Sequence, residues 1–458
     1  MVERSAHNRL VAGSNPAGPT KIEFKKVQKA ELLGFTAFIK TKKDKLKLKQ
    51  KFNMEHFELL QEVKFKKHHY FEENLSLGFK CLIANRTITN IGTGLFSVFL
   101  PIFLYIILGE NIRYLAFYYL ATYLFSLLLT STLHHSLNKF GFKKAIGIST
   151  LIGAFYYLAI FLLKADNVLL IMPIMIFLIS FWRFLYWIPY NIDFAKFTTK
   201  KDRGKGVGLV EAMLSFVGIL TPILAGFIIT RFGFNLLFLA GILVFGLSYL
   251  PLIKLPRTKE RFSWSTNKFF KKILALKNRK LALFFFLDGA EGILAAFVWP
   301  VFIYELLKGN YLEIGIISSL VVLTTAVLQL VAGKIVDKKK GKMIKAGGFF
   351  YALGWLLKVF AITAFHVFIL DAFHRFMKVF YRIPLDTLVF ETAFQQKHFI
   401  DEFNIFRQFC LFLGGTSMAL LIILLSFFTT SINWIFVLGM ITVFCISFFY
   451  KKIQDSFV

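Results

Sequence analysis

The sequence predicts an all-α membrane protein with twelve transmembrane helices, set as two six-helix bundles related by a pseudo-two-fold axis along the membrane normal. Three observations carry this expectation. Apolar runs of spanning length recur along the chain, Lys and Arg gather in alternate loops, and landmarks of the first half return 195 or 199 residues later.

Apolar residues make up 57% of the 458-residue chain and aromatic residues 17%, against about 45 to 50% apolar in soluble domains. A hydrocarbon core of about 30 Å takes about 20 helical residues to cross. Apolar runs of that order fall near 86 to 108, 114 to 136, 143 to 164, 168 to 195, 206 to 229 and 234 to 253. A second set follows near 281 to 306, 312 to 335, 343 to 362, 365 to 390, 404 to 428 and 432 to 450. The chain therefore divides into a basic tail (1–80), a first bundle (81–254), a linker (255–280) and a second bundle (281–458).

The net charge of +29 would suit a nucleic-acid binder if it lay on one surface. It lies instead in loops and tail, so no nucleic-acid partner is expected. One set of loops holds Lys139, Lys143, Lys144, the stretches 196–205 and 334–345, the linker, Lys397, Arg407, Lys451 and Lys452. The opposite set offers only Arg113, Lys164, Arg231 and Lys308. Positive loops stay on the cytoplasmic side. A multi-pass protein of the cell inner membrane follows, monomeric, with both termini and the linker in the cytoplasm.

The first residues contain no apolar core of signal-peptide length. Gly13-Ser14-Asn15-Pro16 is what the T-arm consensus of a transfer-RNA gene encodes when read as protein, so 1–53 read as a start-site artefact with Met54 as the candidate start. The alternative is a real basic tail lying against anionic lipid. Three cysteines, Cys81, Cys410 and Cys445, show no CxxC spacing, so neither a disulfide framework nor a zinc site is expected.

The repeat is read from matched landmarks. Phe99-Leu100-Pro101-Ile102-Phe103-Leu104-Tyr105 returns as Val298-Trp299-Pro300-Val301-Phe302-Ile303-Tyr304, and 300 − 101 = 199. Asn138-Lys139 returns as Asp337-Lys338, again with 337 − 138 = 199. Tyr186-Trp187-Ile188-Pro189 returns as Tyr381-Arg382-Ile383-Pro384, with 384 − 189 = 195. Six segments separate the copies, so both halves have the same topology. Pro101, Pro189, Pro300 and Pro384 each remove a backbone hydrogen bond and place matched kinks on paired helices.

With that topology in place, Gly-Lys-Ile-Val-Asp-Lys-Lys-Lys-Gly-Lys at 333–342 resembles the cytoplasmic loop signature of the major facilitator superfamily, through Gly333, Ile335, Asp337, Lys338 and, after one inserted residue, Gly341. The first-half counterpart keeps the spacing in Asn138, Lys139 and Gly141, with Asn in place of Asp and His134 in place of the first Gly. The resemblance implies a transporter in which the acidic residue caps and pairs across a cytoplasmic gate, a contact that Asn138 leaves without its charge. Gly218, Pro222 and Gly226 are similar to the family's antiporter helix signature, though incomplete. The resemblance also implies that segments 1, 4, 7 and 10 line a central cavity.

Charges inside those segments supply the candidate site. Segment 10 carries Asp371, Arg375, Lys378, Arg382 and Asp386 at spacings of four, three, four and four, along one helical face. Segment 7 adds Asp288 and Glu291, and segment 4 adds Arg183. At 1.5 Å per residue, Asp288 and Arg382 lie roughly 10 to 12 Å deep, with Glu291, Lys378 and Arg183 roughly 15 to 18 Å deep. A lone charge at bilayer depth costs about 2.5 to 3.5 kcal/mol even on the lenient scale, so these groups face partners or water. One reading makes Arg183, Lys378 and Arg382 an electropositive solute site with Asp288 or Glu291 as its proton acceptor. The other makes the same charges a permanent salt-bridge network.

No nucleotide-binding, metal or cofactor motif accompanies them. Gly204-Lys205-Gly206 lacks the spacing of a phosphate loop, and no nucleophile, base and metal ligand converge, so no enzyme is expected. The function expected is secondary active transport of a small solute by alternating access, coupled to protons. The alternative is a sensor or lipid-handling protein with the same fold.

Overall fold

The computed structural model describes residues 76–454, apart from 135, 198–202, 259–269, 272–278, 337–339, 396–399 and 430; side chains are also left out at 140, 195, 203–208, 330–345, 381–401 and 448–454. Met54, the tail, most of the linker, Asp337 and Lys338 therefore lie outside the described residues. Every regular element described is helical.

In chain order these are α1 Leu77–Phe96, α2 Phe99–Ile107, α3 Ile112–Leu133, α4 Ser136–Phe140, α5 Phe142–Leu162, α6 Val168–Phe197, α7 Arg203–Leu247 and α8 Leu250–Ile253. After the linker come α9 Arg279–Ile293, a π-helical turn Leu294–Val298, α10 Trp299–Leu306, α11 Tyr311–Val336, α12 Lys340–Leu357, α13 Ala364–Gln395, α14 Ile400–Leu425 and α15 Asn433–Gln454.

Among the described residues seven helical stretches are long and apolar enough to cross a membrane, or eight if α1 and α2 form one bent span. Three features set this number, which is not the twelve expected. Gly233, at φ 77° and ψ 176°, breaks α7 into two helices that run on as one stretch. The apolar parts of α12 and α15, Ala346–Phe360 and Asn433–Ser447, are short. The charged row on α13 lowers its hydropathy.

Two matched prolines sit at irregular backbone. A 42° bend separates α1 from α2 just before Pro101, and the π-helical turn Leu294–Val298 runs up to Trp299-Pro300. A proline leaves the carbonyl four residues earlier without its donor. Those carbonyls belong to Ser97, in the break between α1 and α2, and to Ala296, inside the π-helical turn. Pro189 and Pro384 lie inside the continuous helices α6 and α13.

Packing follows a paired pattern. α1 lies against α7 and α9 against α14; α5 lies against α6 and α12 against α13; α3 packs on α6 and α11 on α13. Between the halves, α3 packs on α14 and α7 on α11. Aromatic side chains fill the seams, with Phe96 stacked on Tyr157 at 4.2 Å and Tyr119 on Phe297 at 4.5 Å between ring centroids. Phe155, Leu243 and Phe365 are exposed on the outer surface, where hydrocarbon chains would cover them.

Glycines let the helices cross at backbone distance. A Cβ on Gly289 would meet the Leu411 carbonyl, and one on Gly414 would meet the Phe286 carbonyl, so α9 and α14 touch main chain to main chain. Gly226 and Gly315 do the same for α7 and α11, against the carbonyls of Tyr311 and Pro222. Pro222 interrupts the α7 hydrogen-bond ladder, and the hydroxyl of Ser319 on α11 accepts from the Ile223 amide at 3.1 Å. Pro222 and Gly226 of the antiporter-like motif are thus packing residues at a helix crossing, as small residues commonly are in membranes.

Backbone cannot yield as a flexible side chain does. Replacing Gly414 or Gly315 by Leu is expected to destabilise the protein by about 1–3 kcal/mol or more. Thermal unfolding in detergent checks this, with Gly246→Ala, where nothing stands within 4 Å of the added carbon, left within about 0.5 kcal/mol of the parent.

Candidate functional site

The charges on α13 follow from its sequence. Residues at spacings of four and three share a helical face, so Asp371, Arg375 and Lys378 point the same way, toward α9 and α12. Asp371 is buried, and two cations hold it: Lys358 Nζ at 2.9 Å and Arg375 Nε at 2.9 Å. Lys358 comes from the 3-10 turn that ends α12 and is 2% exposed. Its ammonium lies 3.9 Å from the ring centroid of Trp299 and 4.6 Å from that of Trp355. Two indole faces and a carboxylate thus replace water around a lysine deep in the fold.

About 10 Å further along α13, at 1.5 Å per residue, lies a second pair. Lys378 Nζ reaches the two carboxylate oxygens of Glu291 at 3.2 and 3.4 Å. The Tyr351 hydroxyl on α12 donates to the same carboxylate. Glu291 stands three residues before the π-helical turn. Between the two pairs, His374 is buried against the rings of Tyr351 and Trp355, at 4.5 and 4.8 Å. Its Nδ1 has no hydrogen-bond partner among the described residues.

The carboxylates sit behind their cations. Side-chain exposure is 6% for Asp371 and 5% for Glu291, but 41% for Arg375 and 35% for Lys378. The exposed side of these pairs is therefore the positive one.

The first half is built differently. Arg183 on α6 lies 4.7 Å from the ring centroid of Tyr123, and one of its Nη atoms is buried without an acceptor. Arg86 on α1 lies 4.5 Å from the ring of Trp187 and 5.9 Å from that of Tyr190. Neighbouring polar groups are satisfied: Tyr186 donates to Asn85, and Asn85 donates to the Ser248 carbonyl at 2.7 Å. Both arginines rest on aromatic faces, and neither has a carboxylate partner among the described residues.

The expected meetings are thus partly made. Lys378 and Glu291 come together, and so do Arg375 and Asp371. Arg183 joins neither pair. Asp288 lies on α9 three residues before Glu291, and the side chains of Arg382 and Asp386 lie outside the described residues. Of the loop signature, Asn138 and Lys139 fall on α4. Gly141 precedes α5 at φ 76°, a conformation that suits glycine. Gly333 lies on α11 and Gly341 on α12.

Three contributors were missed in the sequence: Lys358, Tyr351 and Arg86. A lysine twelve apolar or small residues past Lys345, inside the run 343 to 362, is a readable signal for the first. Arg86 stands at the edge of the apolar run 86 to 108, and α1 begins before it, at Leu77.

At the end bearing few basic residues, the halves touch again. Tyr105 donates to Glu305, and Tyr304 donates to Glu110 at 3.4 Å. Arg113 donates to the Ser426 hydroxyl at 3.0 Å and its carbonyl at 2.7 Å, and lies over the Phe427 ring. Tyr105 and Tyr304 are equivalent positions of the repeat, each bonded to a carboxylate of the other half.

Comparison with known families decides the class. The sequence model of the Major Facilitator Superfamily matches residues 82–380, well over half of the chain. This chain belongs to the Major Facilitator Superfamily. Membership makes it a multi-pass membrane protein and a membrane transporter. Among solved structures, the fold is similar to that of the nucleoside transporter NupG, crystallised as a point mutant, with a TM-score of 0.60 over 82% of this chain and 100% of that one. At 14% identity the likeness is one of fold. A sequence comparison with curated proteins finds no match.

Removing one partner of a buried pair strands the other. Lys358→Met is expected to cost about 3 kcal/mol, because Asp371 is left with Arg375 alone. In the double variant with Asp371→Asn most of that loss is recovered, which a double-mutant cycle on thermal stability measures.

Proposed function

We propose that this superfamily member is a secondary active transporter of a small solute, working by alternating access and coupled to protons. Twelve spans in two six-helix bundles supply the moving parts. The paired packing supports this reading, since exchanging each half for the other turns α1 on α7 into α9 on α14 and α3 on α14 into α11 on α7. A two-fold axis along the membrane normal relates such contacts. Both termini lie in the cytoplasm of a cell whose inner membrane holds the protein as a monomer. In this reading 81–254 and 281–458 are the bundles and 255–280 the cytoplasmic linker.

One observation carries the coupling: a nearly buried carboxylate, Glu291, held by a single ammonium that is itself a third exposed. A proton on Glu291 removes the charge that holds Lys378. The cation is then free for solute or water, and the arrangement of the bundles that suits the broken pair gains population. Asp371, held by two cations, anchors α13 to α12. Asp288 is the second proton acceptor to consider, with Arg183 and Arg382 as further cations of the cavity. Asn138, Lys139, Gly141, Gly333, Asp337, Lys338 and Gly341 form the cytoplasmic gate. The Tyr105, Tyr304 and Arg113 contacts close the opposite one.

A permanent network is the competing reading, and Lys358 with Asp371 favours it for that part of the cluster. The two readings separate in purified proteoliposomes. Solutes are first screened by thermal stabilisation, and uptake is then measured with and without a pH gradient. Glu291→Gln is expected to abolish accumulation driven by the gradient while downhill exchange continues. Accumulation at the parent level in both Glu291→Gln and Asp288→Asn would remove these carboxylates from the proton path.

A further inference from the structure

Charge balance around α13 bears on the solute itself. In the described ion pairs around α13, Lys358, Arg375 and Lys378 meet Asp371 and Glu291, three cations to two carboxylates. On the first half, Arg183 and Arg86 lie on aromatic rings with no carboxylate partner among the described residues. An uncompensated cation at bilayer depth is costly, and it persists where a cavity brings water or an anion to it.

The excess has a definite location. Arg375 spends Nε on Asp371 and is 41% exposed, so its two Nη nitrogens are not committed to the pair. A guanidinium fork of that kind matches the two oxygens of a carboxylate or a phosphate-type group. Lys378 lies three residues on, along the same helical face, and is 35% exposed. Arg183 adds a buried Nη without an acceptor, at a seam lined by Tyr123 and Phe412.

We propose that the solute is a small organic anion whose oxyanion group docks on Arg375 and Lys378, with Arg183 as the cation contributed by the first half. This rests on the transport reading above and narrows it. An oxyanion that draws Lys378 away leaves the Glu291 carboxylate without its counter-charge. A proton on Glu291 then neutralises the stranded carboxylate. Anion and proton therefore bind together, and a monoanion moves with one proton in an electroneutral step.

Matched probes test this on the full chain in detergent and in proteoliposomes: benzoate against benzamide, and phenyl phosphate against phenol, with benzylammonium as the cation. The oxyanions are expected to raise the melting temperature, and the amide, the phenol and the ammonium are not. Arg375→Gln is expected to weaken apparent affinity for the oxyanions at least tenfold, with Arg375→Lys restoring part of it. Arg183→Gln gives an independent variant if the first fails to fold. An uncharged or cationic member that stabilises as well as its oxyanion overturns the proposal, as does the absence of any oxyanion effect or unchanged anion affinity in both glutamine variants. If an uncharged solute is taken up through a proton step that needs Glu291, the anion assignment falls and the transport reading stands. Oxyanion binding that depends on Arg375 without flux under any gradient keeps the anion site and overturns transport.

Discussion

A carboxylate placed among packed apolar helices must be matched, and the triad of Glu291, Lys378 and Tyr351 shows what that demands. Each group comes from a different helix, so α9, α12 and α13 are held in one register by a charge that none could carry alone. Desolvating such a group costs several kcal/mol, which only close partners repay. The same demand explains the surroundings. Glycines at 289 and 414 bring α14 against α9, and the indoles of Trp299 and Trp355 sheath Lys358 where water is absent.

The two halves share a layout and differ in chemistry. Around α13 each described cation has a carboxylate, whereas Arg86 and Arg183 are steadied by aromatic faces. An arginine on a ring keeps its hydrogen-bonding edge for something else. An arginine in a salt bridge has spent part of it. Among the described residues, carboxylates hold the cations around α13 and aromatic rings hold Arg86 and Arg183. The replacement of Asp337 by Asn138 at the equivalent loop position is a second case of charge kept on one side only.

Much of the fold was legible because hydrocarbon is a strict solvent: unpaired backbone polar groups are excluded, so apolar runs become helices. The matched Pro101 and Pro300 marked two places where the backbone departs from a regular α-helix. Pairing was harder to read. Spacing put Asp371, Arg375 and Lys378 on one face, and helix rise brought Lys378 level with Glu291, but no linear pattern showed that Lys358 would cross from α12 to share Asp371. Arg183 matched the acidic groups in depth and still sits over Tyr123, because depth says nothing about direction around a helix axis. Tyr351 could not be told from the other tyrosines until its hydroxyl was seen on Glu291.

The central claim is that the Glu291 carboxylate exchanges a proton for its hold on Lys378. Infrared difference spectroscopy across a downward pH step reads that exchange directly on the purified protein. The account predicts a protonated-carboxyl band that grows as pH falls, disappears in Glu291→Gln, and is altered in Lys378→Met, where the ammonium partner is gone. A carboxyl signal unchanged by both substitutions would contradict it and leave the triad as scaffolding alone.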